Sequence, residues 1–120
     1  MSPNYSHLRT TLRIAASFVA IAIAGPGWAD TTPECNVGAG AASTECGVNS
    51  TATGDQATAV GDSALATGPQ ATVVGQAAAG TGVHAIAIGN AAAAVNSFAV
   101  AVGGQALAAG FDSNAFGDLA

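Results

Sequence analysis

The few side chains of this 120-residue sequence that could carry chemistry stand far apart. Nucleophilic catalysis needs a serine beside a histidine and a carboxylate. No GxSxG motif is present, and His84 follows Gly82 and Val83 in a connecting segment. An exposed loop histidine is the better interpretation of His84. We therefore predict no catalytic residues, no enzyme activity and no cofactor.

Three aspartates, Asp55, Asp62 and Asp118, directly follow a glycine, as acidic residues do in calcium-binding repeats. The fourteen-residue period described below puts Gln76 and Asn90 next in line after Asp62. Such a column does not supply the roughly six to eight oxygen ligands that Ca²⁺ takes. We interpret the aspartates as solvated turn residues and predict no metal site.

The only two basic residues, Arg9 and Arg13, precede a hydrophobic run at 14–24. This run is too short to span a bilayer as a helix, which needs about 20 residues. A basic stretch, a short apolar core and small residues before a cleavage site are typical of a secretory signal. We predict a signal peptide at 1–29 and hence an exported protein. An N-terminal anchor or a buried helix is the less favoured alternative, because Gly and Pro follow the run at 25–27.

Removal of the signal peptide would leave a chain without lysine or arginine. Such a chain has no side chains with which to neutralise nucleic-acid phosphates, and an anionic membrane surface would repel it. We therefore expect no nucleic-acid partner and no membrane insertion by this chain itself. Its cohesion must come from backbone hydrogen bonds and from close packing of small side chains.

Cys35 and Cys46 are the only cysteines, and an exported protein meets an oxidising compartment. We predict one disulfide between them, worth about 3 kcal/mol by the loop-entropy model, within an N-terminal cap segment at 30–49. No CxxC motif and no further histidine or cysteine lies nearby. The sequence around the pair therefore does not favour a redox or zinc site.

Glycine recurs at every seventh residue from position 40 onwards, with asparagine filling the single gap. Glycine and asparagine most readily take a positive φ, so we predict a turn corner with left-handed backbone in every unit. The predicted corners of the repeat region are Gly54, Gly61, Gly68, Gly75, Gly82, Gly89, Asn96, Gly103, Gly110 and Gly117.

The residues before each corner alternate in size, as in ATAVG, AIAIG and AVAVG. Alternation of a small residue with Val, Ile or Thr predicts a short strand of about four residues. A heptad coiled coil is excluded, because glycine at every seventh position costs a helix about 1 kcal/mol each time. An antiparallel meander with two-residue turns is a serious competitor.

A second period, of fourteen residues, favours a parallel solenoid over the meander. The positions one and three before the corner are apolar in alternate units, such as Ile86 and Ile88, and smaller or polar in the units between, such as Ala79 and Thr81. With two short strands per coil, each class stacks on itself as a separate parallel sheet. We predict an all-β fold, a flattened parallel β-roll at 50–120, with alanine and serine inside.

One outer face of this roll would carry a continuous apolar stripe of valine and isoleucine. An interior of alanine methyl groups buries too little apolar surface to offset the loss of chain entropy. The stripe must therefore be covered, and identical chains arranged about an axis supply a matching cover.

These AxAxG repeats, with Val or Ile before alternate glycines and a signal peptide ahead of them, resemble the YadA-like head repeats of trimeric autotransporter adhesins. The resemblance implies a homotrimer of left-handed parallel β-rolls at the bacterial cell surface. It also implies that the head binds host extracellular matrix proteins, cell-surface receptors or other cells. The positions that match the trimer-facing apolar row are Val60, Val74, Ile86, Ile88, Val100 and Val102.

Two further expectations remain open beside that resemblance. We see neither stalk heptads nor the strands of a membrane anchor in the sequence, so we expect either the front part of a longer adhesin or a secreted head. The alternative function is that of a secreted solenoid that binds ice or another repetitive surface, suggested by the TAT motif at 51–53. It is weaker, because Thr53, Thr67 and Thr81 form a single row that ends at Val95.

Overall fold

The computed structural model describes residues 34–120, so the predicted signal peptide lies outside the described residues. This part of the chain is all-β, and nothing in it forms a helix that could span a bilayer. The strands are β1 (Cys35–Val37), β2 (Thr44–Cys46), β3 (Thr51–Ala52), β4 (Thr58–Val60), β5 (Leu65–Ala66), β6 (Thr72–Val74), β7 (Ala79–Gly80), β8 (Ile86–Ile88), β9 (Ala93–Ala94), β10 (Val100–Val102), β11 (Leu107–Ala108) and β12 (Asn114–Phe116).

The strands form two sheets that run along the length of a solenoid. The 7-stranded sheet A has the order β1-β2-β4-β6-β8-β10-β12, and the 5-stranded sheet B has the order β11-β9-β7-β5-β3. From β2 onwards every pairing is parallel and joins residues fourteen positions apart, as Ala87 pairs with Ala101. The predicted parallel β-roll is therefore confirmed, and the antiparallel meander is excluded. The strands are shorter than predicted, three residues in sheet A and two in sheet B.

Alanine fills the interior of the roll, as predicted. Side chains alternate between the two faces of a strand, so the small residue of each pair points inward and the β-branched one points outward. Ser43 and Ser50 take inward positions in the first coil and are also buried. The buried apolar residues are Ala52, Ala57, Ala59, Ala64, Ala66, Ala71, Val73, Ala78, Ala85, Ala87, Ala92, Ala94, Ala99, Ala101, Ala106, Ala108 and Ala115.

The predicted left-handed corners are found in only one of the two kinds of turn. The glycines that follow sheet A strands have φ between 116° and 145°, namely Gly61, Gly75, Gly89, Gly103 and Gly117. The prediction of a left-handed backbone is wrong for the corners that follow sheet B strands. Those corners are Gly54, Gly68, Gly82, Asn96 and Gly110.

Gly54, Gly68 and Gly82 leave no room for a side chain because the next coil is close, and the glycines after sheet A up to Gly103 share this closeness. A Cβ on Gly68 would lie 1.9 Å from the carbonyl oxygen of Gly82, far inside the van der Waals distance. Every turn of both kinds also contains a residue with left-handed backbone, and this residue lies two positions after the corner. Gln70, with φ of 59°, and Ser63, with φ of 57°, are examples from the two edges of the roll.

One pair of interior residues departs from the alanine pattern in a compensating way. Val73 occupies a place that alanine takes in the neighbouring coils of sheet A, and Gly80 occupies such a place in sheet B. A Cβ on Gly80 would lie 2.7 Å from Cγ2 of Val73. The missing methyl group of the glycine therefore makes room for the larger valine.

Gly80→Ala is expected to lower the free energy of unfolding by about 1–3 kcal/mol, because the added methyl group overpacks the interior. The double variant Val73→Ala/Gly80→Ala restores two alanines and is expected to lie within about 1 kcal/mol of the parent chain. Urea unfolding followed by circular dichroism, at one protein concentration, measures Val73→Ala, Gly80→Ala and the double variant. If the free-energy changes of the two single variants add up to that of the double variant, Val73 and Gly80 do not compensate for each other.

A hairpin closes the N-terminal end of the roll at sheet A. β1 pairs with β2 in the antiparallel direction, and Cys35 lies opposite Cys46. The two cysteines form a disulfide, with their Cα atoms 4.1 Å apart. Because β2 already pairs in parallel with β4, the first coil begins earlier than the predicted start of the roll at residue 50.

Glu45 closes the same end at sheet B. Its side chain is buried, and Oε2 accepts a hydrogen bond from the backbone N–H of Ala52 in β3, at 3.1 Å. β3 is the first strand of that sheet, so the carboxylate oxygen takes the place of a carbonyl that a preceding strand would offer. Oε1 is buried without a hydrogen-bond partner among the described residues. At this end β1 is therefore the edge strand of sheet A, and the carboxylate of Glu45 occupies the backbone N–H of Ala52 at the edge of sheet B.

Replacement of both cysteines, in Cys35→Ser/Cys46→Ser, is expected to lower the free energy of unfolding by about 2–4 kcal/mol. The loss arises because the open chain has more conformational freedom when unfolded, and because β1 is no longer held on β2. Hydrogen exchange at the amides of β2 and β4 should rise more than exchange at β8. An unchanged unfolding midpoint and unchanged exchange in β2 would contradict the capping role.

Candidate functional site

The outer face of sheet A carries two columns of side chains, which together we call stripe A. Outward residues fourteen positions apart lie in register in successive strands. One column holds Val60, Val74, Ile88, Val102 and Phe116, and the other holds Thr58, Thr72, Ile86, Val100 and Asn114.

The six residues of the predicted trimer-facing row all lie on stripe A. The single chain leaves much of this surface in water, since Val74 is 38% exposed and Ile88 is 39% exposed. Phe116 extends the first column at the last coil and is still more exposed. No charged side chain belongs to stripe A. A long apolar surface of this kind is typical of an interface with another protein chain.

The outer face of sheet B has a mixed composition. Leu65, Val95 and Leu107 are exposed among threonines and alanines. The hydroxyl of Thr81 donates a hydrogen bond to the carbonyl oxygen of Val95, at 2.8 Å. This threonine therefore satisfies the backbone of the next coil, and the face offers neither a continuous apolar surface nor a regular array of hydroxyl groups.

The turns form two edges of the roll, and one of them is aromatic. Successive turns are joined by backbone hydrogen bonds, such as the one from Phe98 N to Val83 O at 2.9 Å. His84 stacks on Phe98, with ring centroids 5.1 Å apart and an interplanar angle of 12°. Phe98 meets Phe111 edge to face, with centroids 5.7 Å apart and an angle of 75°. We call His84, Phe98 and Phe111 the aromatic edge.

The opposite edge is polar. Asn90 Nδ2 donates to Gln76 Oε1 of the neighbouring coil, at 3.0 Å. Asp62 and Asp118 lie at this edge with Gln76, Asn90 and Gly104 between them, so the two carboxylates do not stack. Residues 34–120 contain no group of three His, Cys, Asp or Glu side chains that could hold a metal ion.

Comparison with known protein families decides what kind of roll this is. The model of the YadA head domain repeat matches residues 46–64, 52–78 and 81–106, as two copies. The chain belongs to the YadA head repeat family. The family is one of adhesins rather than enzymes, and this adhesin-like character agrees with the exposed faces described above. No curated protein and no solved structure matches the chain.

The matched part of this YadA-type head contains most of stripe A and the alanine interior. It leaves out the cap up to and including Glu45, and the last coil with Phe111 and Phe116. The sequence predicted His84 in a connecting segment, but its stacking on Phe98 was not predicted. The fourteen-residue period does indicate this contact, because His84 and Phe98 are fourteen positions apart and so lie in one column.

Proposed function

We propose that this chain is the head of a trimeric surface adhesin, in which three copies pack stripe A about a common axis. The head attaches the producing bacterium to host matrix proteins, cell-surface receptors or other cells, and it catalyses no reaction. A signal peptide at 1–29 exports it, and it acts at the cell surface as part of a longer adhesin or as a secreted head.

Stripe A is the observation that carries this proposal. A buried alanine methyl group contributes roughly 0.8 kcal/mol, compared with about 1.5–3 kcal/mol for a fully buried valine or isoleucine. Most of the valine and isoleucine side chains of the roll lie outside, on stripe A, where a single roll leaves them partly in water. Self-association buries them and supplies the stabilisation that the alanine interior lacks. Three copies, rather than two, is the number that family membership supports.

A soluble binding assay tests the adhesive function. The full chain and its Ile88→Asp variant are applied to immobilised extracellular matrix proteins and to cultured cells, and the retained protein is quantified. Three linked heads gain from multivalency, so we expect the parent chain to bind at least about tenfold more tightly than a dissociated variant. Leu107→Asp, which places the charge on sheet B, is the matched control. Equal retention of parent and Ile88→Asp, or retention of neither, would contradict the proposal.

The alternative function, binding of ice or another repetitive surface, has less support. It needs a flat and regular array of hydroxyl groups, but the column of Thr53, Thr67 and Thr81 continues into Val95, and Thr81 is bonded to the backbone. We expect the full chain to show no thermal hysteresis in freezing experiments. Measurable hysteresis would favour this alternative over the adhesin.

A further inference from the structure

The aromatic edge is not required by the fold. The column that contains His84 and Phe98 holds Gln56 and Gln70 in the preceding coils, where Gln70 Nε2 donates to Gln56 Oε1 at 2.9 Å. Every residue of this column has a positive φ, which is 58° at His84 and 61° at Phe98. A bulky side chain is unfavourable at such a backbone conformation. Histidine is among the residues that tolerate this conformation, but Phe98 occupies a position that a short or polar residue would fill at lower cost.

The rings of this edge are also well exposed. Phe98 is 47% exposed, and Phe111 is 71% exposed. The stacking of His84 on Phe98 covers one face of each ring, whereas Phe111 meets Phe98 at a steep angle and stacks on neither ring. The faces of Phe111 are thus free of a stacked partner. Burial of these rings by another molecule would be favourable.

The charge around the aromatic edge is negative. Asp112 directly follows Phe111, occupies the next place after Phe98 in the same column, and is exposed. Asp112 N donates to Ser97 O at 3.0 Å, which fixes the backbone of this turn against the preceding coil. No lysine or arginine lies in residues 34–120. Phe111 and Asp112 are consecutive and exposed, and an aromatic ring with a neighbouring carboxylate, on a surface without positive side chains, is complementary to a cation.

We propose that the aromatic edge, with Asp112, binds an arginine side chain of a protein partner. The guanidinium group lies on a face of Phe111 and donates hydrogen bonds to the carboxylate of Asp112. This inference rests on the proposed adhesive function and deepens it, because it assigns the chemistry of the partner and the part of the head that the partner contacts.

Arginine suits this surface better than lysine or a sugar. Its guanidinium group is planar and weakly hydrated, so it stacks on a ring and pairs with a carboxylate at the same time. The lysine ammonium group is a strongly hydrated point charge. A row of sugar rings would need several free ring faces, but His84 and Phe98 stack on each other and so cover one face of each ring.

Fluorescence anisotropy with labelled peptides tests the proposal on the full chain. The probes are an alternating Gly-Arg peptide, its Gly-Lys and Gly-Glu counterparts, and a neutral oligosaccharide. Phe111→Ala and Asp112→Asn alter the aromatic edge. Leu119→Ala and Asp118→Asn are the matched controls on the opposite edge, since Leu119 has the same 71% exposure as Phe111.

We expect the Gly-Arg peptide to bind the parent chain more tightly than the other probes do. Phe111→Ala should weaken that binding about threefold to fivefold, the range of an exposed cation–π contact. Asp112→Asn should weaken it by a similar factor, about threefold to fivefold, the upper range of an exposed ion pair, and the control variants should change it by less than about twofold. The proposal is overturned if the parent chain does not bind this peptide, or if Asp112→Asn and Asp118→Asn weaken it equally. Equal binding of the Gly-Lys peptide, or binding of the oligosaccharide at this edge, would also overturn it.

The retention assay with matrix proteins and cells separates this inference from the proposed function. If the parent chain is retained and Phe111→Ala/Asp112→Asn is retained equally, the aromatic edge is not the contact and the inference fails, while the adhesive function stands. If the parent chain itself is not retained, the adhesive function fails. If the parent chain is retained and the double variant is not, while the double variant keeps its trimer mass, the result supports both the adhesive function and the aromatic-edge contact.

Discussion

Gly68→Ala is expected to destabilise the roll by about 3 kcal/mol or more, the upper range for overpacking a close contact. The new Cβ would lie 1.9 Å from the carbonyl oxygen of Gly82, and a backbone atom in the middle of a ladder cannot rotate away as the end of a side chain can. The coils on either side would have to separate. That separation would lengthen hydrogen bonds between coils, such as the one from His84 N to Pro69 O.

Gly110→Ala is the matched control for this substitution. Gly110 also follows a sheet B strand, but a Cβ there would meet only the side chain of Ser113, with the nearest atom 3.4 Å away. We expect it to change the free energy of unfolding by less than about 1 kcal/mol. Chemical unfolding of the two variants at the same protein concentration makes the comparison. Similar losses at the two sites would show that the close stacking of coils is not the reason for glycine.

Ile88→Asp is expected to have the second large effect, which is dissociation of the trimer. Ile88 lies in the middle of stripe A, with Val74 and Val102 on the neighbouring strands. In the proposed assembly, three copies of the new carboxylate would meet near one axis without any lysine or arginine to pair with. Burial of such unpaired charges costs several kcal/mol for each copy. We therefore expect the mass in solution to fall to that of a single chain, with a lower unfolding temperature.

Leu107→Asp is the control for the position of this charge. Leu107 is 55% exposed, but it lies on the outer face of sheet B. The same carboxylate there should stay in water and leave the mass in solution unchanged. Dissociation by Leu107→Asp, with Ile88→Asp still associated, would move the interface from sheet A to sheet B and contradict the proposed packing.

The periodicity of the sequence was sufficient to predict the roll. The alternation of alanine with β-branched residues defines the inward and outward faces, and the fourteen-residue period separates the residues of sheet A from those of sheet B. Ile86 and Ile88, for example, pair with Val100 and Val102 in the predicted register. These features are predictable because each is repeated in every coil, so local pattern and global fold agree.

Two features could not be predicted from the sequence. They are the reason for glycine at each corner and the role of Glu45 at the end of sheet B. Glycine at position 75 satisfies a positive φ and also leaves room for the next coil, whereas glycine at position 68 answers only the second demand. The sequence does not distinguish these two cases. No strand precedes β3 in sheet B, so the backbone N–H of Ala52 donates to the inward side chain of Glu45 instead. This role of Glu45 exists only at the end of the sheet, so the repeat pattern does not reveal it.

Light scattering on the chain purified from a producing cell measures whether stripe A is buried between three identical chains. We expect a molar mass three times that of the chain, β-rich circular dichroism, and a single-chain mass for Ile88→Asp but not for Leu107→Asp. A stable, folded single chain, with stripe A exposed to solvent, would contradict the proposed trimer.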